Sequence, residues 1–156
     1  MSPAIFSRKP GCISFFGVIA LVHTLAGLAI GALLGFLLRS IWNWPEAPAI
    51  FAVCGCVGQA CRALVAWVGR PSPQTHAYQL RINTPAVVAS ALFAFAAVLT
   101  LLQFPATILV PAASYGLVRV VLNWQSRQGG SISSASLRFA ARGGEILTLL
   151  AAIMKV

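Results

Sequence analysis

Acidic side chains are almost absent from this 156-residue chain, which has no aspartate and only two glutamates, Glu46 and Glu145. Charged residues of either sign make up 8 % of the sequence, whereas soluble domains usually contain about 25 %. Hydrophobic residues account for 59 %, which leaves too few polar side chains to cover a water-facing surface. The composition therefore predicts a protein whose surroundings are lipid.

The shortage of acids also excludes several kinds of chemistry. Hydrolysis by paired carboxylates, carboxylate metal sites and most proton relays require acids that the apolar runs do not contain. A glycine-rich phosphate loop is missing, and a serine-histidine-aspartate set is excluded because the chain has no aspartate. We therefore predict no catalytic residue, no cofactor and no metal site, and we expect the protein not to be an enzyme.

The four cysteines lack the pattern of a disulfide framework or a metal site. Cys54, Cys56 and Cys61 lie within one apolar run rather than in the loops of a small secreted domain. On a helix, Cys54 and Cys56 point about 200° apart, so they cannot share one ion. Cys54 and Cys61 share a face, but two ligands are too few for a closed zinc site. We interpret these cysteines as packing residues.

Long apolar runs predict an all-α fold, a polytopic transmembrane helical bundle with about four spans. The predicted spans cover residues 13–38, 47–69, 85–102 and 106–124. Inside lipid every backbone N–H and C=O needs an internal partner, so spans are helices or closed barrels. Barrel strands have about 10 residues with alternating polarity. The runs here are longer and apolar on all sides, which favours helices.

The basic residues predict the orientation of the bundle. Most of them fall on one side of the predicted spans, whereas Arg39 alone falls on the other. Positively charged loops stay in the cytosol, so both termini are predicted to be cytosolic, an N-in/C-in arrangement. The basic residues of the cytosolic side are Arg8, Lys9, Arg70, Arg81, Arg127, Arg138 and Arg142.

The predicted surroundings are the cytoplasmic (inner) membrane of a bacterium, because the size and layout fit small bacterial membrane proteins. The lipid bilayer and its anionic headgroups are the expected partners of a chain with a net charge of +9. Nucleic acid is not an expected partner, because the basic residues stand singly between apolar runs instead of forming a dense cluster.

The C-terminal region predicts a different kind of segment. Residues 1–124 form the predicted four-span domain, and residues 125–156 form a predicted cytosolic linker followed by a short amphipathic helix. Ile146, Leu149 and Ile153 fall at helical spacing, which predicts a helix from about residue 145 that is too short to span. Such a helix is expected at the membrane interface, or docked on the spans or on a partner subunit.

Two arginines within predicted spans are the main candidates for function. Arg62 and Arg119 each lie about 6–8 Å from the midpoint of a span, by helical rise. A charge at the centre of a span costs about 2.5–3.5 kcal/mol on insertion scales, and no predicted span contains an acid to pair with it. The two arginines either attract an anion from a wet interior or extend toward cytosolic headgroups. His23 and Gln59 complete the candidate solute-binding or polar-network residues, and a hydrogen bond between helices is the simpler role for His23.

Small residues at four-residue spacing mark three candidate helix-packing ridges. Such ridges let two helices approach closely, either within the bundle or between subunits. The ridge residues are Gly27, Gly31 and Gly35 in the first span, Ala86, Ser90 and Ala94 in the third, and Ala112 and Gly116 in the fourth.

These features favour two functions. The first is a small non-catalytic integral membrane protein that acts as a subunit of an oligomeric membrane assembly. Such an assembly would be a scaffold, pore or secretion-type complex, formed with other membrane subunits or with further copies of the chain. The alternative is a compact transporter or channel for a small, anionic solute that uses Arg62 and Arg119.

Overall fold

The computed structural model describes residues 19–70 and 84–154, and its described residues form an all-α bundle. The helices are α1 (Ile19–Trp42), α2 (Ala47–Val68), α3 (Thr84–Leu101), α4 (Ala106–Arg127) and α5 (Ser134–Ile153). Helices α1 to α4 are each long and apolar enough to cross a membrane, as in a multi-pass membrane protein. The predicted all-α class and its four long apolar helices are therefore confirmed.

The helix limits lie close to the predicted ones, with local causes at the turns. α1 continues to Trp42, four residues past the predicted end at Leu38, and stops where Asn43 adopts a positive φ of 53°. α2 has a proline in its first turn, where the missing N–H costs nothing. Residues 13–18 of the predicted first span lie outside the described residues.

α2 lies at the centre of the bundle and contacts each of the other four helices. α1 approaches it at a distance that only glycine permits, because a Cβ on Gly31 would lie 2.0 Å from the carbonyl oxygen of Phe51. The glycine ridge of α1 is thus used inside the bundle. The opposed pairs are Gly27 with Gly55, Gly31 with Phe51, and Gly35 with Ala47.

A buried hydrogen bond joins α1 to α3. The hydroxyl of Thr24 donates to the carbonyl oxygen of Ala20 at 2.9 Å, and it also contacts the hydroxyl of Ser90. Both Thr24 and Ser90 are fully buried. Because a buried hydroxyl without a partner is costly, this pair fixes the position of α3 on α1.

The C-terminal helix is longer than the sequence pattern predicts. The short helix was expected from about residue 145, but α5 has 20 residues and begins at Ser134. Ser133 is its N-cap, and its hydroxyl accepts a hydrogen bond from the backbone N–H of Ser136 at 3.2 Å. Residues 134–138 therefore belong to the first turns of a helix and not to a linker.

α5 runs antiparallel to α2, from one end of that helix toward the other. At its start, the backbone N–H of Ile132 donates to the carbonyl oxygen of Arg70 at 2.9 Å. Halfway along, a Cβ on Gly58 would lie 2.7 Å from the carbonyl oxygen of Ala141 and 2.7 Å from Cγ of Glu145. The two backbones are therefore in direct contact at the middle of α2.

The last turn of α5 lies at the other end of the bundle. Ala151 and Ala152 share a cavity with Glu46, just before α2, and with Pro105, just before α4. We call this the far end, with the turns at residues 43–46 and 102–105, and we call the end with Arg70 and Arg127 the basic end. The described chain thus starts at the basic end and finishes at the far end.

Candidate functional site

A lateral groove with a volume of about 600 Å³ lies between α1 and α5. These two helices both pack on α2, yet they do not contact each other in the described part of the chain. α2 therefore forms the floor of the groove, and α1 and α5 form its two walls. Both walls pack closely on the floor, because backbone atoms of α1 and of α5 approach the glycines of α2.

The half of the groove nearer the basic end is polar and positively charged. Gln59 and Arg62 lie on its floor, and the wall of α5 contributes Arg138, Arg142 and Glu145. A guanidinium nitrogen of Arg142 donates to the carboxylate of Glu145 at 2.7 Å. Glu145 is the only acid among the groove residues, so the three arginines exceed it by two charges.

The half nearer the far end is apolar. Ile30 and Leu34 from α1 face this part of the groove, together with Phe51 from α2 and Ile146 and Leu149 from α5. The aliphatic side chains of α1 remain half exposed at its edge, at 59 % for Ile30 and 50 % for Leu34. The groove therefore has a cationic half and an apolar half, and it is open toward the surroundings of the bundle.

The structure brings two of the four candidate polar residues together, because Gln59 and Arg62 line the same groove. His23 of α1 is half-buried and is not among the residues that line it. Arg119 lies elsewhere, in a separate cavity of about 410 Å³ that it shares with Ser114 and Tyr115 of α4. Arg62 and Arg119 therefore do not form the pair that the sequence suggested.

Three residues that line the groove were not predicted to do so. Sequence reasoning placed Arg138 and Arg142 in a cytosolic segment and gave Glu145 no role. Arg138, Arg142 and Glu145 belong to α5, and they bring a carboxylate into the groove that contains Arg62. A signal for this helix was present, because small residues recur along it at four-residue spacing and all of them are buried. These residues are Ser136, Ala140, Gly144, Thr148 and Ala152.

The other small-residue ridges differ in what they contact. Ala86, Ser90 and Ala94 of α3 are all buried inside the bundle, and the α1 ridge packs directly against α2. In α4, by contrast, Ala112 is exposed, and a Cβ on Gly116 would meet nothing within 4 Å in the described structure. The α4 ridge is therefore not used for packing within the described bundle.

The cysteines of α2 lie in the interior. Cys54, Cys56 and Cys61 are buried and free, and Cys61 lines the same cavity as Ser114 of α4. Among residues 19–70 and 84–154, no three histidine, cysteine or acidic side chains come together as metal ligands. The groove therefore offers guanidinium groups, an amide, a thiol and a carboxylate, and the guanidinium groups among them bind anions.

Comparisons of the chain with models of protein families, with curated proteins and with solved structures found no match. Function therefore has to be argued from the surfaces of the bundle itself. Two of them are chemically distinctive: the outward ridge of α4, and the groove between α1 and α5.

Proposed function

We propose that the protein is a non-catalytic subunit of an oligomeric membrane assembly in the cytoplasmic membrane of a bacterium. The observation that carries this proposal is the outward face of α4. Ala112 and Gly116 form a small-residue ridge there that no described helix covers. Ridges of this kind let a second helix approach closely within a membrane.

The polar residues of the same face support the proposal. Tyr115 is 68 % exposed, and Arg119 is exposed on the next turn of the helix. A lipid-facing phenol or guanidinium lacks hydrogen-bond partners among acyl chains, and charges near the centre of a span are costly. A helix from another subunit, or from a second copy, would remove these groups from lipid and fill the space above Gly116.

We expect Ala112→Leu to weaken the assembly without unfolding the subunit, because the larger side chain holds the partner helix away from α4. The matched control is Ala96→Leu, which makes the same change at an exposed position of α3. Both variants are extracted in mild detergent, and the mass of the complex and its co-isolated chains are measured. Loss of the complex in Ala112→Leu alone is the expected result.

Two outcomes would argue against this proposal. A wild-type chain that is strictly monomeric in mild detergent, with no co-isolated protein, leaves the α4 ridge without a partner. Equal effects of Ala112→Leu and Ala96→Leu would show that added bulk acts anywhere on the lipid-facing surface. The thermal stability of each purified variant separates loss of assembly from loss of fold.

Transport of a small anion is the second candidate, and the positive charge of the groove is the observation that favours it. The version that relies on Arg62 and Arg119 acting together loses support, because the two arginines line different cavities. Flux of a radiolabelled anion into liposomes that contain only this protein tests the remaining version. Flux that Arg62→Gln abolishes would favour transport over a purely structural role.

A further inference from the structure

We propose that the groove between α1 and α5 is a binding site for a membrane phospholipid with an anionic headgroup. The headgroup phosphate would lie among Arg62, Arg138 and Arg142, and one acyl chain would follow the apolar half toward Leu34 and Phe51. This inference concerns a different face of the bundle from the α4 ridge and does not depend on assembly.

The order of side chains along the groove matches the order of chemical groups in such a lipid. α2 has 22 residues, about 33 Å by helical rise, which is close to the thickness of the hydrocarbon core. Arg62 lies six residues before the end of α2, about 9 Å along the axis from the basic end. Arginine side chains extend toward the headgroups from such a depth, while their stems remain along apolar surface.

The charge of the groove selects the headgroup. Arg142 is already paired with Glu145, with its side chain 78 % exposed and that of Glu145 26 % exposed. Arg62 and Arg138 add two further positive charges at the same end. A phosphate diester with a neutral glycerol headgroup offsets one of these two charges, whereas a choline headgroup adds a positive charge of its own next to the arginines.

The shape of the groove favours a lipid over a free anion. A phosphate ion would occupy only the cationic half, and the apolar half would remain open. The exposed edges of Ile30 and Leu34 make that half continuous with the surrounding acyl chains. A lipid can therefore enter from the side of the bundle, and its chain buries apolar surface that would otherwise remain poorly packed.

The test measures lipid binding to the full-length protein, purified in detergent and stripped of native lipid. Native mass spectrometry counts the lipids retained when phosphatidylglycerol or phosphatidylcholine with identical acyl chains is titrated in. We expect saturable retention of phosphatidylglycerol and much weaker retention of phosphatidylcholine. Inorganic phosphate, added as a competitor, should displace phosphatidylglycerol only weakly because it lacks the acyl chain.

Charge-removing variants test the cationic half. The double change Arg62→Gln with Arg138→Gln should weaken phosphatidylglycerol binding about thirtyfold, from about 1 kcal/mol for each arginine. The control is the double change Arg70→Gln with Arg127→Gln, which also removes two charges at the basic end but outside the groove, and it should bind as the wild type does.

A matched pair of variants tests the apolar half and leaves every arginine in place. Leu34→Trp fills the groove, whereas Leu33→Trp puts the same ring on the exposed side of α1, outside it. Excluding two methylene groups of the lipid corresponds to about a tenfold loss of affinity in Leu34→Trp alone. This pair also keeps the proposal testable if the double arginine variant fails to fold.

Three results would overturn the proposal. Equal retention of phosphatidylglycerol and phosphatidylcholine would show that the headgroup is not recognised. Wild-type affinity in the double arginine variant would place the lipid elsewhere on the bundle. Displacement by phosphate at the affinity of the lipid, together with no effect of Leu34→Trp, would identify the groove as a site for a free anion.

Discussion

Replacing Gly31 with leucine should separate α1 from α2 and prevent the bundle from forming. A Cβ at this position would lie 2.0 Å from the carbonyl oxygen of Phe51 and 3.0 Å from Cα of Ala52. Both obstacles are backbone atoms of a buried helix, so no side chain can rotate away to make room. α1 would have to move outward along its whole length.

The expected cost is large compared with the stability of a small domain. Overpacking in a core costs about 1–3 kcal/mol when side chains can adjust, and occasionally more. Here the backbone itself must shift, and the movement would also pull Thr24 away from Ser90. The buried hydroxyl of Ser90 would lose this partner, whereas Thr24 would keep its hydrogen bond to Ala20. We therefore expect a loss of more than about 3 kcal/mol, out of the 5–15 kcal/mol that typically stabilises a domain of this size.

The matched control is Ala29→Leu, which puts the same side chain on an exposed position of the same helix. The midpoint of thermal unfolding in detergent, followed by tryptophan fluorescence, should fall sharply for Gly31→Leu and stay near the wild-type value for Ala29→Leu. Equal midpoints for Gly31→Leu and the wild type would mean that α1 does not pack on α2 as described.

The first four helices could be predicted from the sequence because their signals are local. A run of apolar residues without acids has one stable form in lipid, and prolines and polar turn residues mark where each run stops. The role of the α1 glycines was also partly visible, since Gly27, Gly31 and Gly35 form an uninterrupted ridge. Their partners on α2 could not be read from the sequence, because the choice between internal packing and a second subunit depends on tertiary structure.

The length and position of α5 were not predicted because three charged residues interrupt its apolar stripe. Arg138, Arg142 and Glu145 lower the hydropathy of the segment below that of a span, and Gly143 and Gly144 weaken its helix propensity. Contacts with α2 and α4 compensate for both effects. Gly144 approaches Cys61 and Gly58 of α2, and Gly143 approaches Leu117 of α4, where larger residues would collide.

The groove was missed for the same reason. Arg62 was considered as a charge without a possible partner, because its own span and the other three contain no acid. Glu145, whose carboxylate accepts from Arg142, lines the same groove from a helix that sequence reasoning placed outside the membrane domain. Side chains 83 positions apart are brought together by the antiparallel packing of α5 on α2, which no local pattern encodes.

The path of α5 determines on which side of the membrane the C-terminus lies. Basic residues alone predict that both termini are cytosolic. α5, however, starts beside Arg70 at the basic end and finishes beside Glu46 at the far end. If α2 crosses the membrane, α5 must cross beside it, and we therefore expect the C-terminus on the non-cytosolic side.

The pairing and position of the three charged residues of α5 lower the free-energy cost of placing this helix across the membrane. Arg142 and Glu145 are paired at 2.7 Å, and Arg138 lies near the basic end, within reach of headgroups. The remaining surface of α5 toward α2 consists of small buried residues that fit the glycines of that helix. The central helix α2 would be far more exposed to lipid along its polar residues if α5 were removed.

Two insertions of the same epitope tag test the prediction. One tag follows Val156, and the control tag stands between Gly129 and Gly130, in the exposed turn between α4 and α5 at the basic end. In sealed vesicles of defined orientation, a protease should remove the two tags from opposite faces of the membrane. Removal of both tags from the cytosolic face would contradict the crossing of α5. The groove would then lose one of its walls, because α5 supplies the only carboxylate among its lining residues and two of the three arginines.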